Sequence, residues 1–203
     1  MRILPRSIEK LINEFAKLPG IGPKSASRLT FYLYKLPDHV IEVFGESVKQ
    51  LKTGVHSCKN CHNMSETEIC SICSNTARNQ NLVCVVEDPL DVLAIEHTGK
   101  FDGVYHVLGG TISPIDGIGP ENLKIAELVS RVKMLKNNNN SVEIILAMNP
   151  SLEGDATVMY ISKQLREIKV KLTKLARGIP VGGELEYTDE STLSDALNYR
   201  KEI

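Results

Sequence analysis

Cys58-Lys59-Asn60-Cys61 and Cys70-Ser71-Ile72-Cys73 are two C-x-x-C segments separated by the eight residues 62–69. Each segment can turn tightly enough to direct two thiolates at one point, and the short loop can bring both pairs together in the tetrahedral arrangement that zinc prefers. Four cysteine ligands leave no open position on the metal. The spacing therefore predicts a compact finger in which Cys58, Cys61, Cys70 and Cys73 hold one structural Zn²⁺ ion per chain.

Two other interpretations of these cysteines are weaker. A disulfide framework is typical of small secreted domains, and the N-terminus shows no signal-peptide pattern. A redox-active C-x-x-C is expected as a single pair beside a βαβ unit, whereas two pairs occur here in a polar stretch. His56 and His62 flank the first pair, but four cysteines already complete the site, so both histidines are predicted to be bystanders. Cys84 lies in the apolar run 82–86 and is predicted to be a small buried side chain.

The composition is that of an ordinary globular protein. The chain has 203 residues, of which 42% are hydrophobic and 24% charged, and this suits one large domain or two to three small ones. No apolar run approaches the roughly 18 residues that indicate a membrane span. Unpaired cysteines, a predicted zinc site and the lack of a secretion pattern together favour a reducing cytoplasm.

Charge is distributed unevenly along the chain. Residues 1–60 contain ten Lys or Arg and five Asp or Glu, a net charge of +5, so the remaining residues carry −6 of the formal total of −1. A basic N-terminal third on an acidic remainder indicates contact with a polyanion at one end. Ordinary solvated helix faces explain the charge equally well.

Hydrophobic periodicity predicts three helices in the N-terminal third, at 7–17, 24–34 and 38–52. In the second helix, Leu29 and Leu33 are expected to be buried, and Tyr32 and Tyr34 are expected to pack against helices rather than to form a base-stacking platform. The third helix is expected to turn an apolar face inward, formed by Val40, Ile41, Phe44, Val48 and Leu51.

The loop Leu18-Pro19-Gly20-Ile21-Gly22-Pro23, between the first two helices, resembles a helix-hairpin-helix motif. Gly20 and Gly22 allow a tight turn and bring bare backbone N–H groups close to a partner. The second helix presents its positive N-terminus at the same place, and Lys24 and Arg28 share one of its faces. The pattern predicts a clamp on the DNA backbone that does not read sequence. A simple tight turn between packed helices is the alternative. A P-loop is excluded, because Pro23 stands where that motif needs an N–H group.

Beyond residue 79, short apolar runs alternate with helical patterns. Continuous Val, Ile and Leu strands separated by helices indicate a parallel sheet with helices on its faces. The predicted strands are 82–86, 104–108, 142–148 and 170–176, and the predicted helices are 92–97, 121–136 and 155–168. A further helix is predicted at 189–199.

This part of the chain resembles a Toprim domain, the fold shared by topoisomerases, bacterial primases and some nucleases. In catalytic members, a Glu after the first strand and an Asp-x-Asp after a later strand hold magnesium through oxygen ligands. Glu87 matches the first position, but the Asp-x-Asp positions are the neutral Asn149 and Ser151. Glu153 and Asp155 lie beyond the expected positions. Magnesium chemistry is therefore not expected, although a small nuclease or primase-like enzyme using Glu87, Glu153 and Asp155 is the main rival.

The order of these parts resembles the RecR family of bacterial recombination mediator proteins. A helix-hairpin-helix is followed by a four-cysteine finger, a degenerate Toprim domain and the closing segment LARGIPVGGELEYTDE at 175–190. The segments EDPLD at 87–91 and HVLGGTISP at 106–114 fit the family as well. The resemblance covers essentially the whole chain, with no departure at the four cysteines or the hairpin.

The resemblance implies a multidomain α+β and α/β fold and a protein that is not an enzyme. Such proteins form dimers and ring-like tetramers that clamp DNA, and act with RecO and, in many bacteria, RecF. They help to load the RecA recombinase onto single-stranded DNA coated by its binding protein, in the bacterial cytoplasm at the nucleoid. The expected segments are a hairpin region at 1–56, a finger at 57–78, a Toprim-like domain at 79–178 and a packing or subunit-contact segment at 179–203.

Site roles follow from the same resemblance and from charge. Gly20, Gly22, Lys24 and Arg28 are expected to contact DNA. The acidic Toprim-like part is expected to repel DNA and to bind protein partners instead, with Glu87 and Asp88 as candidate contacts. A zinc-stabilised protein-interaction module without DNA affinity is a third possibility, which the basic N-terminal third disfavours.

Overall fold

The computed structural model describes residues 3–138, 141–200 and 202, so Arg2, counted in the basic N-terminal third, lies outside it. The chain divides into two compact units, one ending at Gly54 and the other beginning at Val55. Both are built from the elements that the sequence predicts, but the finger belongs to the same unit as the sheet.

The N-terminal unit contains three helices, α1 (Arg6–Ala16), α2 (Pro23–Tyr34) and α3 (Asp38–Gln50). Pro23 begins α2, where its missing N–H group leaves no bond unmade. α1 packs against α2, and the buried residues described in this unit are Ala26 and Thr30.

Two expectations about this unit were wrong. The apolar face of α3 does not turn inward: Val40, Phe44, Val48 and Leu51 are exposed, and only Ile41 is half-buried. On α2, Leu29, Tyr32 and Tyr34 are also exposed, and the two tyrosine side chains are 63% and 71% accessible. Periodicity shows which side chains share a face, but three short helices do not bring enough apolar surface together to cover every such face.

The second unit begins with the finger. The strands β1 (His56–Ser57) and β2 (Met64–Ser65) pair antiparallel, and the short helix α4 (Ser71–Ser74) follows. The chain then enters the sheet domain through β3 (Asn79–Val86).

The sheet domain alternates strands and helices as predicted. After β3 come α5 (Pro89–Glu96), β4 (Gly103–Val107), α6 (Ile125–Asn138), β5 (Glu143–Leu146), α7 (Leu152–Leu165) and β6 (Lys171–Lys174). These strands form one parallel sheet in the order β4-β3-β5-β6, in which Val83 is level with Val104 on one side and with Ile144 on the other. Single-turn 3₁₀ helices occur at Pro120–Asn122, Arg166–Ile168 and Leu185–Tyr187.

Both faces of this sheet are buried. Val83 and Val85 of β3 pack in one core with side chains of α6 and α7, and Cys84 and Val86 pack in a second core with Val92 of α5. Alternate side chains of a strand point to opposite faces, so a continuous apolar run is what a strand covered on both sides requires. The predicted burial of Cys84 is confirmed.

The C-terminal segment ends in the helix α8 (Glu190–Asn198), within one residue at each end of the predicted span. Asp189 caps it by accepting a hydrogen bond from the backbone N–H of Thr192 at 2.9 Å. Among the described residues, no helix combines the length and apolarity that crossing a bilayer requires.

Candidate functional site

The four cysteines of the two C-x-x-C segments converge as predicted. Their Sγ atoms all lie within 4.8 Å of one another, and Cys61 Sγ is 3.5 Å from Cys70 Sγ. Zn–S bonds of about 2.3 Å in a tetrahedron require sulfurs about 3.8 Å apart, so the cluster fits a Zn²⁺ ion. Within the described residues, no other group of three or more His, Cys, Asp or Glu side chains lies close enough to hold a metal.

The thiols themselves show why a cation belongs here. Burial raises the pKa of Cys58, but backbone N–H groups of Cys70 and Cys61 outweigh it and lower that pKa to about 7. Burial raises the pKa of Cys70 to about 11, and a hydrogen bond with Cys73, followed by burial, raises that of Cys61 further. Four thiolates at this distance therefore need a divalent cation between them, and its binding displaces protons.

The finger is bonded directly to the sheet domain. The backbone N–H of Val107, on β4, donates to the carbonyl oxygen of Cys61 at 2.7 Å. Arg131, on α6, donates through Nη1 to the carbonyl of Asn60 at 3.2 Å and to that of Tyr105 at 2.6 Å. One guanidinium thus joins the first C-x-x-C segment (the zinc knuckle, residues 58–61) to the edge strand β4. The finger and the sheet domain therefore form a single structure.

Two histidines, His62 and His106, are in contact next to the same C-x-x-C segment. The rings of His62 and His106 meet edge to face with centroids 5.2 Å apart. His106 is fully buried, and its Nε2 donates to the carbonyl of Lys124 at 2.8 Å. Burial lowers the pKa of His106 to about 4, so the ring is neutral at physiological pH and packs as an uncharged part of the core.

The hairpin between α1 and α2 has the geometry of an anion site. Gly20 has a φ of 78°, which favours glycine, and the N–H of Ile21 closes the turn on the carbonyl of Leu18 at 3.1 Å. Gly22 is extended, and nothing lies within 4 Å of where its Cβ would be, so the fold itself does not require glycine there. The absence of a side chain at Gly22 leaves the backbone open to close approach from outside.

The start of α2 is also uncapped, because Gly22 offers no side-chain acceptor to the first turn. Lys24 and Arg28 follow on the exposed surface, and within the described residues neither side chain makes a hydrogen bond or an ion pair. Unsatisfied backbone donors and two unpaired cations on one face can bind a phosphate group.

The carboxyl ends of the parallel strands contain the acids that the Toprim pattern singled out. Glu87 follows β3, and its carboxylate accepts hydrogen bonds from Asn149 N at 2.5 Å and Asn149 Nδ2 at 2.8 Å. The Glu87 carbonyl accepts from the N–H groups of Gly109 and Gly110 at 2.9 and 3.0 Å. Glu87 therefore connects the ends of three strands, and its carboxylate faces the amide nitrogen of Asn149 where the Toprim pattern has an aspartate.

Asp88, Ser151 and Asp155, at the same edge, are also hydrogen-bonded within the protein. Asp88 caps α5 by accepting from the N–H of Leu90 at 2.7 Å, and Ser151 caps α7 through the N–H of Gly154 at 3.0 Å. Asp155 accepts from Lys174 Nζ at 2.6 Å and from Arg177 Nη2 at 2.9 and 3.0 Å, and the hydrogen bond from Lys174 is the largest cause of its lowered pKa. In this arrangement Asp88, Ser151 and Asp155 are bonded to protein donors rather than grouped as metal ligands.

Comparison with known proteins agrees with this arrangement along the whole chain. Family models match residues 8–50 (the helix-hairpin-helix of RecR), 55–75 (the four-cysteine zinc finger domain of RecR), 81–176 (the Toprim domain) and 178–201 (the C-terminal part of RecR). Two proteins of Clostridium perfringens, from strains ATCC 13124 and 13, carry the name Recombination protein RecR. Each is 48% identical to this chain over 203 residues, all of both sequences.

The chain belongs to the RecR family. Membership confirms the predicted fold class and the structural zinc ion on Cys58, Cys61, Cys70 and Cys73. As a RecR protein it combines a hairpin, a zinc finger and a Toprim domain whose catalytic acids are replaced or paired.

Sequence reasoning missed the residues that hold the RecR finger and sheet edge in place. Arg131 reads as an ordinary cation on a solvated helix face, and His106 as part of a strand. Lys174 and Arg177 carry no local signal that they pair with Asp155, about twenty residues earlier in the chain. Only the parallel crossover between β5 and β6 brings them to that carboxylate.

Proposed function

We propose that this RecR protein is a non-enzymatic, sequence-independent DNA-binding clamp in recombinational DNA repair. It acts in the bacterial cytoplasm, at the nucleoid, with RecO and, in many bacteria, RecF. It helps to load RecA onto single-stranded DNA covered by its binding protein. Its segments are a hairpin region at 1–56, a zinc finger at 57–78, a Toprim-like domain at 79–178 and a packing or subunit-contact segment at 179–203. The observation that carries the proposal is the open hairpin, with Lys24 and Arg28 unpaired on one face within the described residues.

The hairpin contacts phosphates rather than bases. Backbone N–H groups at the start of α2 and the two cations neutralise charge on the DNA backbone, which gives affinity that falls as salt rises. One such contact is weak. Several copies in an oligomer raise the effective concentration of hairpins around one DNA molecule without any new contact.

The exposed apolar face of α3 favours the proposal that the protein is an oligomer, either a dimer or a ring-like tetramer. Val43, Phe44, Val48 and Leu51 are exposed on this short amphipathic helix, which is unusual for a monomer. A second copy that covers this face would remove it from water and bring two hairpins into one assembly.

The double substitution Lys24→Ala with Arg28→Ala tests the proposal. We expect weaker binding to gapped, single-stranded and double-stranded DNA alike, and a salt slope reduced by about two. Fluorescence anisotropy across a salt series measures both. The matched control is Lys49→Ala with Lys52→Ala, which removes the same charge from the same unit outside the hairpin and leaves affinity nearly unchanged.

The same samples, run on a denaturing gel with magnesium or manganese, separate this proposal from the rival nuclease. Intact DNA supports the clamp, because Glu87 and Asp155 are bonded to protein donors. Metal-dependent cleavage that Glu87→Gln abolishes would establish the enzyme instead. If Lys24→Ala with Arg28→Ala binds DNA as tightly as the control Lys49→Ala with Lys52→Ala, the hairpin is only a structural turn.

We also propose that the acidic Toprim edge, including Glu87 and Asp88, contacts a protein partner such as RecO. Asp88→Asn removes the charge and keeps the helix cap, because Asn and Asp cap helices about equally well. We expect weaker RecO binding by calorimetry and unchanged DNA affinity. If Asp88→Asn weakens DNA binding more than RecO binding, the partner contacts a different surface.

A further inference from the structure

The exposed side of α2 carries four side chains in one row, which we call the α2 stripe: Lys24, Arg28, Phe31 and Lys35. Their spacing of four, three and four residues places them on a single helix face about 16 Å long. Ala26 and Thr30, which are buried, lie on the other side of the helix. The stripe therefore points away from the packed side of its own helix.

The stripe is a strongly basic surface. Residues 15–37 contain four Lys or Arg and no Asp or Glu. In the described part of the chain, Lys24, Arg28 and Lys35 have no hydrogen-bond or ion-pair partner through their side chains, whereas Lys17 and Lys49 pair with neighbouring glutamates. Cations left unpaired in a row attract a polyanion over the length of the row.

Phe31 stands in the middle of these cations. It is 41% accessible, although a phenylalanine has no polar group that favours water. The combination of a basic row and an exposed ring is what proteins use to bind single strands, in which phosphates lie along the cations and a base stacks on the ring. A duplex offers phosphates but keeps the faces of its bases covered.

We propose that Phe31 stacks on an unpaired base of single-stranded DNA while Lys24, Arg28 and Lys35 bind the flanking phosphates. This rests on the proposed function, in which the hairpin binds the DNA backbone, and adds to it a preference for unpaired strands. The hairpin unit then recognises the region of a gap where RecA has to be loaded.

A protein partner fits the stripe less well. Covering Phe31 with another protein surface would bury three unpaired cations beside it, which requires matching carboxylates in the partner. The α3 face, formed by Val43, Phe44, Val48 and Leu51, offers apolar surface and is the better site for a subunit contact. Charge complementarity therefore assigns the α2 stripe to a nucleic acid.

The test compares Phe31→Leu with Phe31→Tyr on the full-length zinc-loaded protein. Both variants suit an exposed helical position, but only Tyr keeps an aromatic face. Three probes of equal length are used: an oligo-dT strand, a strand of abasic sites that keeps the phosphates, and a duplex. We expect Phe31→Leu to weaken binding to oligo-dT by about fivefold or more and to change the other two by less than about twofold. Phe31→Tyr should retain wild-type affinity for all three.

Tyr34→Leu is the matched control, because Tyr34 is an exposed aromatic residue of the same helix outside the stripe. A second readout is available because the chain contains no tryptophan. Phe31→Trp introduces a single tryptophan per chain, whose emission oligo-dT should quench and the abasic strand should not. The tryptophan of Tyr34→Trp should not respond to either strand.

The outcomes distinguish this inference from the proposed function. If Lys24→Ala with Arg28→Ala weakens binding to all three probes and Phe31→Leu weakens binding to none, the hairpin binds phosphates without base stacking. This inference is then wrong. If Phe31→Leu changes the oligomeric state in size-exclusion chromatography and affects all probes equally, the stripe is a protein contact. If the double variant binds normally, the hairpin proposal itself fails, whatever Phe31 does.

Discussion

Single residues decide the chemistry of the Toprim edge. An aspartate at position 149 would continue the magnesium pattern, whereas Asn149 donates two hydrogen bonds to Glu87 and stabilises its carboxylate without a metal. The neutrality of Asn149 is evident from the sequence, and it argues against a magnesium site. That its amide is the partner of Glu87 could not be predicted, because the two residues are 62 positions apart and meet only across adjacent strands.

Asn149→Asp tests this interaction at the residue scale. The new carboxylate would face Glu87 and remove a donor, so we expect the free energy of unfolding in urea to fall by about 1–3 kcal/mol. Ser151→Asp is the control, since it adds the same charge two residues later. Asp is a good helix cap there and suits the N-terminus of α7, so stability should change by less than about 0.5 kcal/mol. Equal losses in the two variants would show that net charge, not the Glu87 contact, matters.

At the scale of elements, the zinc finger and the sheet depend on each other. The two C-x-x-C segments predicted the metal site with its four ligands, because ligand spacing is a local property of the chain. The contacts of the finger with β4 and α6 were not predictable, since Val107 and Arg131 reach the knuckle from distant parts of the sequence. The strand and helix periods likewise predicted the elements but not their order in the sheet.

Cys70→Ala should therefore affect more than the finger. We expect loss of stoichiometric zinc and destabilisation by several kcal/mol, because zinc binding contributes folding free energy. The amide of Val107, bonded to Cys61, should also exchange its hydrogen faster. Zinc analysis, denaturation and hydrogen exchange measure these effects. Cys84→Ala, at the buried cysteine outside the cluster, should keep its full zinc content. A Cys70→Ala protein with normal zinc would contradict the ligand assignment.

At the scale of the whole molecule, the N-terminal unit has more apolar surface than it covers. The sequence correctly marked one face of α3 as apolar, but the prediction that it turns inward was wrong. Phe44 and Leu51 lie on the exposed side of the helix. A hydrophobic period identifies a face that avoids water, and it does not say whether the covering surface belongs to the same chain.

Phe44→Glu tests whether a second copy covers this face. We expect the oligomer to dissociate toward monomers at micromolar concentration, because a charge would be buried without a partner. Light scattering after size-exclusion chromatography measures the mass. Lys49→Glu, on the opposite side of α3, should leave the mass unchanged. An unchanged mass for Phe44→Glu would move the subunit contact to another surface.

The sequence by itself determined the features that depend on neighbours along the chain. These are the zinc ligands, the hairpin with its glycines and basic pair, the strand and helix periods, and the lost Asp-x-Asp. Only the tertiary structure decided which partners those features have: Asn149 with Glu87, Lys174 and Arg177 with Asp155, and Arg131 with the zinc knuckle. The physical reason is that spacing and periodicity are local, whereas a hydrogen bond or a buried face depends on what folding brings within a few ångströms.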